Sequence, residues 1–275
     1  MIRIINDLKP FMPFINGIKD DPAYSDPHFS SPEAQNSNLF DVVGKKDYLV
    51  LGVFRNDAPI GLFSFLILED ERYIEMLIGF SLAYEAYEQI ADYLMANYPG
   101  FHVDFVFNPH NDLITRMLEK RGAAFDPEMQ KMILSDDSRS FDTDGIERLS
   151  EANKDAYIAL HTKDCYWTGE KVVEAPDLFK VLLAVDRGEV VGYLDITDYP
   201  DENEPFDLFV EETHRRRGWG RKLLMKAIEE NRPRKMLLFV EVDNVPAISL
   251  YDSMGFTKAE DGLSRLAIWN TTARI

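Results

Sequence analysis

Leu208-Phe209-Val210 is a short apolar run, followed by a polar stretch from Glu211 to Gly220. Leu223, Leu224, Ala227 and Ile228 then recur at the spacing of one helical face. Met236-Leu237-Leu238-Phe239-Val240 is apolar without interruption and too short for a buried helix, so it reads as a buried strand. The pattern predicts strand, turn, helix, strand. Beyond it, Pro246 fits the first turn of another helix and Gly255 fits its C-terminal cap.

The first half of the chain repeats this order. Asn244 falls on Asn111 and Gly255 on Gly122, a shift of 133 in both cases. The same shift lays Leu223, Leu224, Ala227 and Ile228 on Ile90, Ala91, Leu94 and Met95, and Met236, Leu238 and Val240 on Val103, Phe105 and Phe107. A helix stripe, a strand face and a cap glycine that share one offset indicate a duplicated unit. Upstream, residues 48–54 and 60–65 flank a polar turn at Asn56-Asp57, and residues 182–185 and 190–194 flank Asp186-Arg187-Gly188; both pairs predict antiparallel hairpins. The expected fold class is α/β with mixed sheets, in two tandem domains, 1–135 and 141–275, joined by the polar segment Ser135 to Ser140. Each domain should carry roughly six or seven strands with helices on both faces. Early helices are expected near Asp7 to Ile18, where Pro10 and Pro13 interrupt, and near Glu151 to Lys163. Residues 19–45, rich in Pro, Ser, Asn and Asp, read as an extended surface loop.

Candidate chemistry gathers at Arg215-Arg216-Arg217-Gly218-Trp219-Gly220. A glycine-bearing turn between a strand and a helix aims several N–H groups at one point beside the positive end of a helix dipole, a site suited to phosphate. A Walker loop requires Gly-Lys-Ser/Thr, but Arg221 follows Gly220; a dinucleotide fingerprint requires a third glycine where Leu223 stands. Arg-x-x-Gly-x-Gly remains. It resembles the acyl-CoA pyrophosphate loop of the GCN5-related N-acetyltransferase (GNAT) superfamily. The order Asn244, Ala247, Leu250, Tyr251, Gly255, Phe256 is similar to that family's closing motif.

The resemblance implies two tandem GNAT-like domains and an N-acetyltransferase that uses acetyl-CoA as co-substrate, with direct attack by a primary amine. It places Arg215, Arg216, Arg217, Gly218, Trp219, Gly220 and Arg221 at the diphosphate. Trp219 either covers the ligand or packs on the surface, and Arg221 is equally readable as an exposed helix residue. Phe209, Val210 and Glu211 would flank the pantetheine arm, with an N–H near Val210 facing the oxyanion, and Asn244 would bond that arm or cap its helix. Tyr251, protonated near neutrality with a reference pKa of about 10, would be the general acid. Candidate bases are Asp207, Glu204 and, on the neighbouring strand, Asp195, whereas His214 reads as surface. Nothing in the pattern calls for a metal.

The repeat is chemically unequal. Gly218 falls on Glu85, Gly220 on Tyr87 and Tyr251 on Leu118. A carboxylate and an aromatic ring would obstruct a diphosphate, and Leu118 has no proton to give. The N-terminal copy therefore reads as degenerate, with a structural or substrate-shaping role.

A formal charge of −18 argues against nucleic acid as a partner and makes the arginine cluster a local basic spot. No apolar run is long enough for a membrane helix, and the first residues do not form a signal peptide. A single cysteine, Cys165, excludes intrachain disulfides and reads as a buried small residue. A cytoplasmic monomer or homodimer acting on a small-molecule or peptide amine is expected. Tyr166, Trp167 and Glu170 are candidates for lining the acceptor site. The alternatives are a non-catalytic acyl-CoA-binding or sensing protein, which would not need Tyr251 as an acid, and a scaffold of two inactive copies.

Overall fold

The computed structural model describes residues 1–163, 167–200 and 202–272. Cys165 and Tyr166 lie outside them. The chain forms two compact units, residues 1–129 with 261–275, and residues 130–260. This division differs from the expected split at the polar segment 135–140. Two strands cross the boundary, so the end of each half completes the unit of the other.

In chain order the strands are β1 (Ile2–Ile4), β2 (Tyr48–Arg55), β3 (Ala58–Leu68), β4 (Tyr73–Ser81), β5 (His102–Phe107), β6 (Ala124–Leu134), β7 (Ile146–Arg148), β8 (Phe179–Asp186), β9 (Glu189–Thr197), β10 (Glu202–Asn203), β11 (Pro205–Val210), β12 (Lys235–Glu241) and β13 (Phe256–Asn270). The helices are α1 (Met12–Ile18), α2 (Pro32–Gln35), α3 (Tyr84–Asn97), α4 (Asp112–Arg121), α5 (Lys154–Leu160), α6 (Gly169–Glu174), α7 (Trp219–Asn231) and α8 (Val245–Met254).

In the first unit β1 to β4 form an antiparallel meander, and β4 pairs with β5 in parallel. The β2–β3 turn puts Asn56 and Asp57 at φ 50° and 62°, the left-handed pair that matches strand twist in a two-residue hairpin. The last part of β13 pairs with β5 from Arg265 opposite Phe107 to Asn270 opposite His102, and buries Ala267 and Trp269 in this unit's core. Helices α3 and α4 cover one face through Ile90, Ala91, Leu94, Ile114 and Leu118. The other face holds Phe11, Ile15, Ile18, Phe29, Leu39 and Val42. Residues 19–45 are thus no extended surface loop. They fold into short helical turns because Phe29, Leu39 and Val42 are buried against Val50, Leu62, Ile78 and Phe80.

In the second unit β7, β8, β9 and β11 form an antiparallel sheet. β10 pairs in parallel with β12 for two residues only, Glu202 with Lys235 and Asn203 with Met236. β11 then continues with β9, and the two strand systems separate. The first unit shows the same parting: β4 pairs with β5 from Tyr73 to Met76 and then runs on to Ser81 paired with β3 only. The duplicated caps also agree. Asn111 and Asn244 both accept helix N-terminal amides, and Gly122 and Gly255 end their helices at φ 73° and 99°.

Candidate active site

The parting of β11 from β12 is set by a bulge. β11 opposes β9 at Pro205–Ile196 and Asp207–Asp195, so Phe206 is extra. Beyond it Glu211 donates its N–H to the Val191 carbonyl, which makes Glu211–Val191 and, two residues back, Phe209–Tyr193 the hydrogen-bonded pairs. The backbone groups of Leu208 and Val210 therefore point away from β9, into the opening. The Val210 carbonyl accepts from Arg215 Nε at 2.9 Å, which ties the strand end to the loop.

The loop from Glu211 to Gly218 is compact. Arg216 adopts φ 60° and Gly218 φ 90°, both left-handed, and Gly218 caps α7 without a side-chain acceptor. Among the described residues the N–H groups of Trp219, Gly220 and Arg221 make no hydrogen bond. They face a cleft of about 670 Å³ lined by Leu208, Val210, Arg215, Arg216, Asn244 and Leu250, among others. A Cβ on Gly220 would stand 3.3 Å from Leu250, so glycine there keeps α7 close to α8. Trp219 and Arg221 both line the cleft, and Arg221 also lies over the Phe141 ring. Arg217 turns toward Asp186 at 4.0 Å and is not among the lining residues. His214 is half-buried on the cleft wall beside Glu211 at 3.2 Å, rather than plain surface. Phe209 stacks on Tyr193 and packs with the core beyond the cleft.

Asn244 caps α8 through Oδ1, which accepts from the Ala247 N–H at 3.2 Å. Its Nδ2 has no partner among the described residues and stands at the cleft. Tyr251 is 9% exposed, and its hydroxyl makes no hydrogen bond among the described residues. Burial, with the nearby charges of Asp207 and Glu204, pushes its pKa up to about 12. Glu204 sits in the parting and accepts from the Phe239 N–H of β12; burial raises its pKa to about 7, against the pull of Lys131. The structure thus brings Tyr251, Glu204 and Asp207 into one neighbourhood. Asp195 is fully buried, bonded to Tyr157 and His161, and has no face for an acceptor. Trp167 packs edge-on against Phe179, and Glu170 is exposed in the first turn of α6.

The first unit has the same opening, filled by its own side chains. Ser81 opposes Gly61 as Val210 opposes Gly192, so Gly79 matches Leu208 and Ser81 matches Val210. Buried Asp26 accepts the Gly79 N–H at 2.7 Å, where the Leu208 N–H stands open. The Tyr87 hydroxyl reaches the Gly79 and Ser81 carbonyls at 3.4 and 3.5 Å and accepts from Asn111 Nδ2 at 2.9 Å. Tyr87 thus occupies the asparagine that in the second unit is open. Glu85 is no plug; it is half-exposed and paired with Arg55. The same register matches Glu75 to Glu204, and burial raises the Glu75 pKa as well. The first copy thus kept this carboxyl and lost the tyrosine. Truncating Tyr87 to alanine should destabilise the first unit by about 3–5 kcal/mol in urea unfolding of the full chain, whereas Tyr87→Phe, which strands the Asn111 amide, should cost about 1–3 kcal/mol.

His161 is the functional-region residue that sequence reasoning missed. It follows α5 without any motif, and only the fold sets it between Asp195 and Asp207, at 3.0 and 3.6 Å.

A mixed sheet that opens at a bulge thus stands beside a helix N-terminus whose amides are unpaired. Residues 146–256 match the family model described as Acetyltransferase (GNAT) family. Mycothiol acetyltransferase of Corynebacterium glutamicum strain R is 31% identical over 119 residues, 40% of this chain and 40% of that protein. The protein of the same name from strain ATCC 13032 is 28% identical over 157 residues, 48% of this chain and 54% of that one. The chain spans about half the length of the curated relatives it matches. Among solved structures, a GCN5-related N-acetyltransferase from Sphaerobacter thermophilus aligns over 100% of this chain and 96% of its own at TM-score 0.65 and 14% identity. A tandem GNAT protein from the clavulanic acid biosynthesis pathway covers 87% of this chain and 89% of its own at TM-score 0.52 and 10% identity. These two likenesses bear on the fold, which is that of a tandem GNAT protein.

Proposed function

We propose that the second unit transfers an acetyl group from acetyl-CoA to a primary amine by direct attack, and that the first unit does not bind the donor. The observation that carries this reading is the contrast between the two partings: the Leu208 N–H and Asn244 Nδ2 are open, whereas their counterparts at Gly79 and Asn111 are taken by Asp26 and Tyr87. Bound acetyl-CoA would supply a thioester carbonyl and a thiolate leaving group. The α7 N-terminus, with Arg215 and Arg216, would hold its diphosphate, and Asn244 Nδ2 its pantetheine arm. The Val210 N–H faces the parting, where it can donate to the developing oxyanion. Glu204, half-ionised near neutrality, takes the proton that the amine loses as its nitrogen bonds to the carbonyl carbon. Tyr251 gives its proton to sulfur as the C–S bond breaks, and its raised pKa keeps that proton available across the working range.

Titration calorimetry with acetyl-CoA tests the donor site, because a protein that binds none is not this enzyme. A thiol-release screen of amines, amino acids and peptides seeks the acceptor, and the deacetylated form of mycothiol belongs in it because of the relatives' name. Tyr251→Phe should lower kcat by about 10- to 1,000-fold while acetyl-CoA affinity changes less than about threefold. An unchanged kcat removes Tyr251 from the mechanism and favours a binding or sensing role for the unit.

A further inference from the structure

Asp195 and Asp207 stand directly opposite each other on β9 and β11. Two like charges in such a cross-strand pair repel. His161 enters between them. Its Nε2 lies 3.0 Å from Asp195 Oδ2 and 3.6 Å from Asp207 Oδ2, and its Nδ1 lies 2.8 Å from the Thr162 carbonyl. Both ring nitrogens face oxygens, and the two Tyr157 bonds to Asp195 favour its carboxylate, an arrangement that an imidazolium satisfies with a proton on each nitrogen. Burial opposes that charge, but the bonds to Asp195 and Thr162 and the field of Asp207 outweigh it and raise the His161 pKa. The ring is held on its faces and edge: Tyr193 stacks on it at 4.7 Å, Phe209 stacks on Tyr193 at 5.6 Å, and Tyr157 meets it edge-on at 5.4 Å. The Tyr157 hydroxyl donates to both Asp195 oxygens, and Tyr193 donates to Asp207 Oδ2.

This arrangement is expensive to bury, and packing alone would be served by apolar residues of similar volume. Its outlet is one group. Asp195 and His161 are each 1% exposed at the side chain, whereas Asp207 is 30% exposed. Oδ2 of Asp207 is spoken for by Tyr193 and His161, and Oδ1 has no partner among the described residues. The cluster thus presents a single fixed oxygen, Asp207 Oδ1, that shares the neighbourhood of Glu204 and Tyr251.

We propose that Asp207 Oδ1 docks the acceptor as its ammonium and that His161 is a positioning residue, a buried cation that pins Asp207 and is itself anchored by Asp195. The proposal rests on the reading of the second unit as an amine acetyltransferase and narrows its acceptor to one that arrives charged. Glu204, in the same neighbourhood, then takes one proton from the docked ammonium and passes it to solvent, and takes the second as the nitrogen bonds to the carbonyl carbon. A divalent ion is the poorer occupant of the cluster, since its carboxylates already accept from two tyrosine hydroxyls and the imidazole carries protons rather than a free lone pair.

The test uses the full chain without acetyl-CoA and two probes. L-alanine methyl ester is an ammonium at about pH 6.5, and methyl lactate is its neutral counterpart. The expected result is binding of the ammonium ester alone, seen as shifts of the Tyr193 and His161 resonances, with both His161 nitrogens protonated at neutral pH in 15N spectra. Asp207→Asn and His161→Gln should each weaken the ammonium ester by about tenfold or more. Because losing His161 leaves two facing carboxylates, the pair His161→Gln with Asp195→Asn, which removes one charge of each sign, is measured beside it and should show the same loss. Equal binding of the two esters, no binding of the ammonium ester, native affinity in the paired variant, or a neutral His161 overturns the proposal. Acetyl-CoA titration reports separately on the donor site: a protein that distinguishes the esters yet binds no acetyl-CoA retains the ammonium dock and loses the transferase reading.

Discussion

Gly218→Glu should abolish measurable acetyl-CoA binding while the chain stays folded. The residue sits at φ 90°, so any side chain there carries left-handed strain of about 1–2 kcal/mol. A Cβ meets nothing within 4 Å, so there is no clash to add. A carboxylate at the N-terminus of α7 would recover about 0.3–1 kcal/mol from the helix dipole. The gain offsets part of the strain, and the remaining cost of about 1 kcal/mol is small beside the stability of a folded domain. The same carboxylate would, however, stand where the unpaired amides of Trp219, Gly220 and Arg221 await an anion, and would occupy or repel it. Charge-assisted bonds of this kind support a loss of at least about 100-fold in affinity. Calorimetry with acetyl-CoA, beside a thermal melt, makes the measurement. Affinity within a few-fold of native in a folded variant would remove the loop from the donor site.

Glu204→Gln is expected to lower kcat by about 100- to 10,000-fold. The native carboxyl, raised to about 7, is protonated below that pH and a base above it, so kcat/KM should rise through pH 7. The glutamine variant should lose that limb. Stability moves in the opposite sense. A carboxyl whose folded pKa lies above its unfolded value of about 4.3 favours the native state below that value, and the benefit is lost as pH rises through 7. At pH 8 the native chain holds a buried charge, so the variant should be more stable there by on the order of 1–3 kcal/mol, and the difference should vanish near pH 4. An active, pH-independent glutamine variant would shift the base to another group. Loss of activity without the gain at pH 8 would mean that Glu204 is not buried as the fold shows.

Much of this protein is local and therefore legible in the chain. The helix face of Leu223, Leu224, Ala227 and Ile228, the buried strand through Leu238, and the caps at Asn111, Asn244, Gly122 and Gly255 follow from residue spacing and from what asparagine and left-handed glycine do at helix ends. The turn that frees the α7 amides was legible for the same reason, since a strand end, a glycine and a helix start determine it within a few residues. The single offset of 133 revealed the duplication.

Tertiary structure decided what depends on residues far apart. Asp26 fills the first parting from a segment that composition marks as loop, because burial of Phe29 and Leu39 folds that segment back onto the sheet. Tyr87 rather than Glu85 is the plug, since the helix turns one side chain to Asn111 and the other to Arg55. The bulge at Phe206 sets Asp207 opposite Asp195 and leaves Glu204 in the parting, and His161 reaches both aspartates from beyond α5. The sequence by itself determined the turn that leaves amides unpaired after Gly218, because it is made of consecutive main-chain groups. Only the fold could single out Glu204 as the candidate base, because protonation depends on burial and on charges brought close from distant parts of the chain.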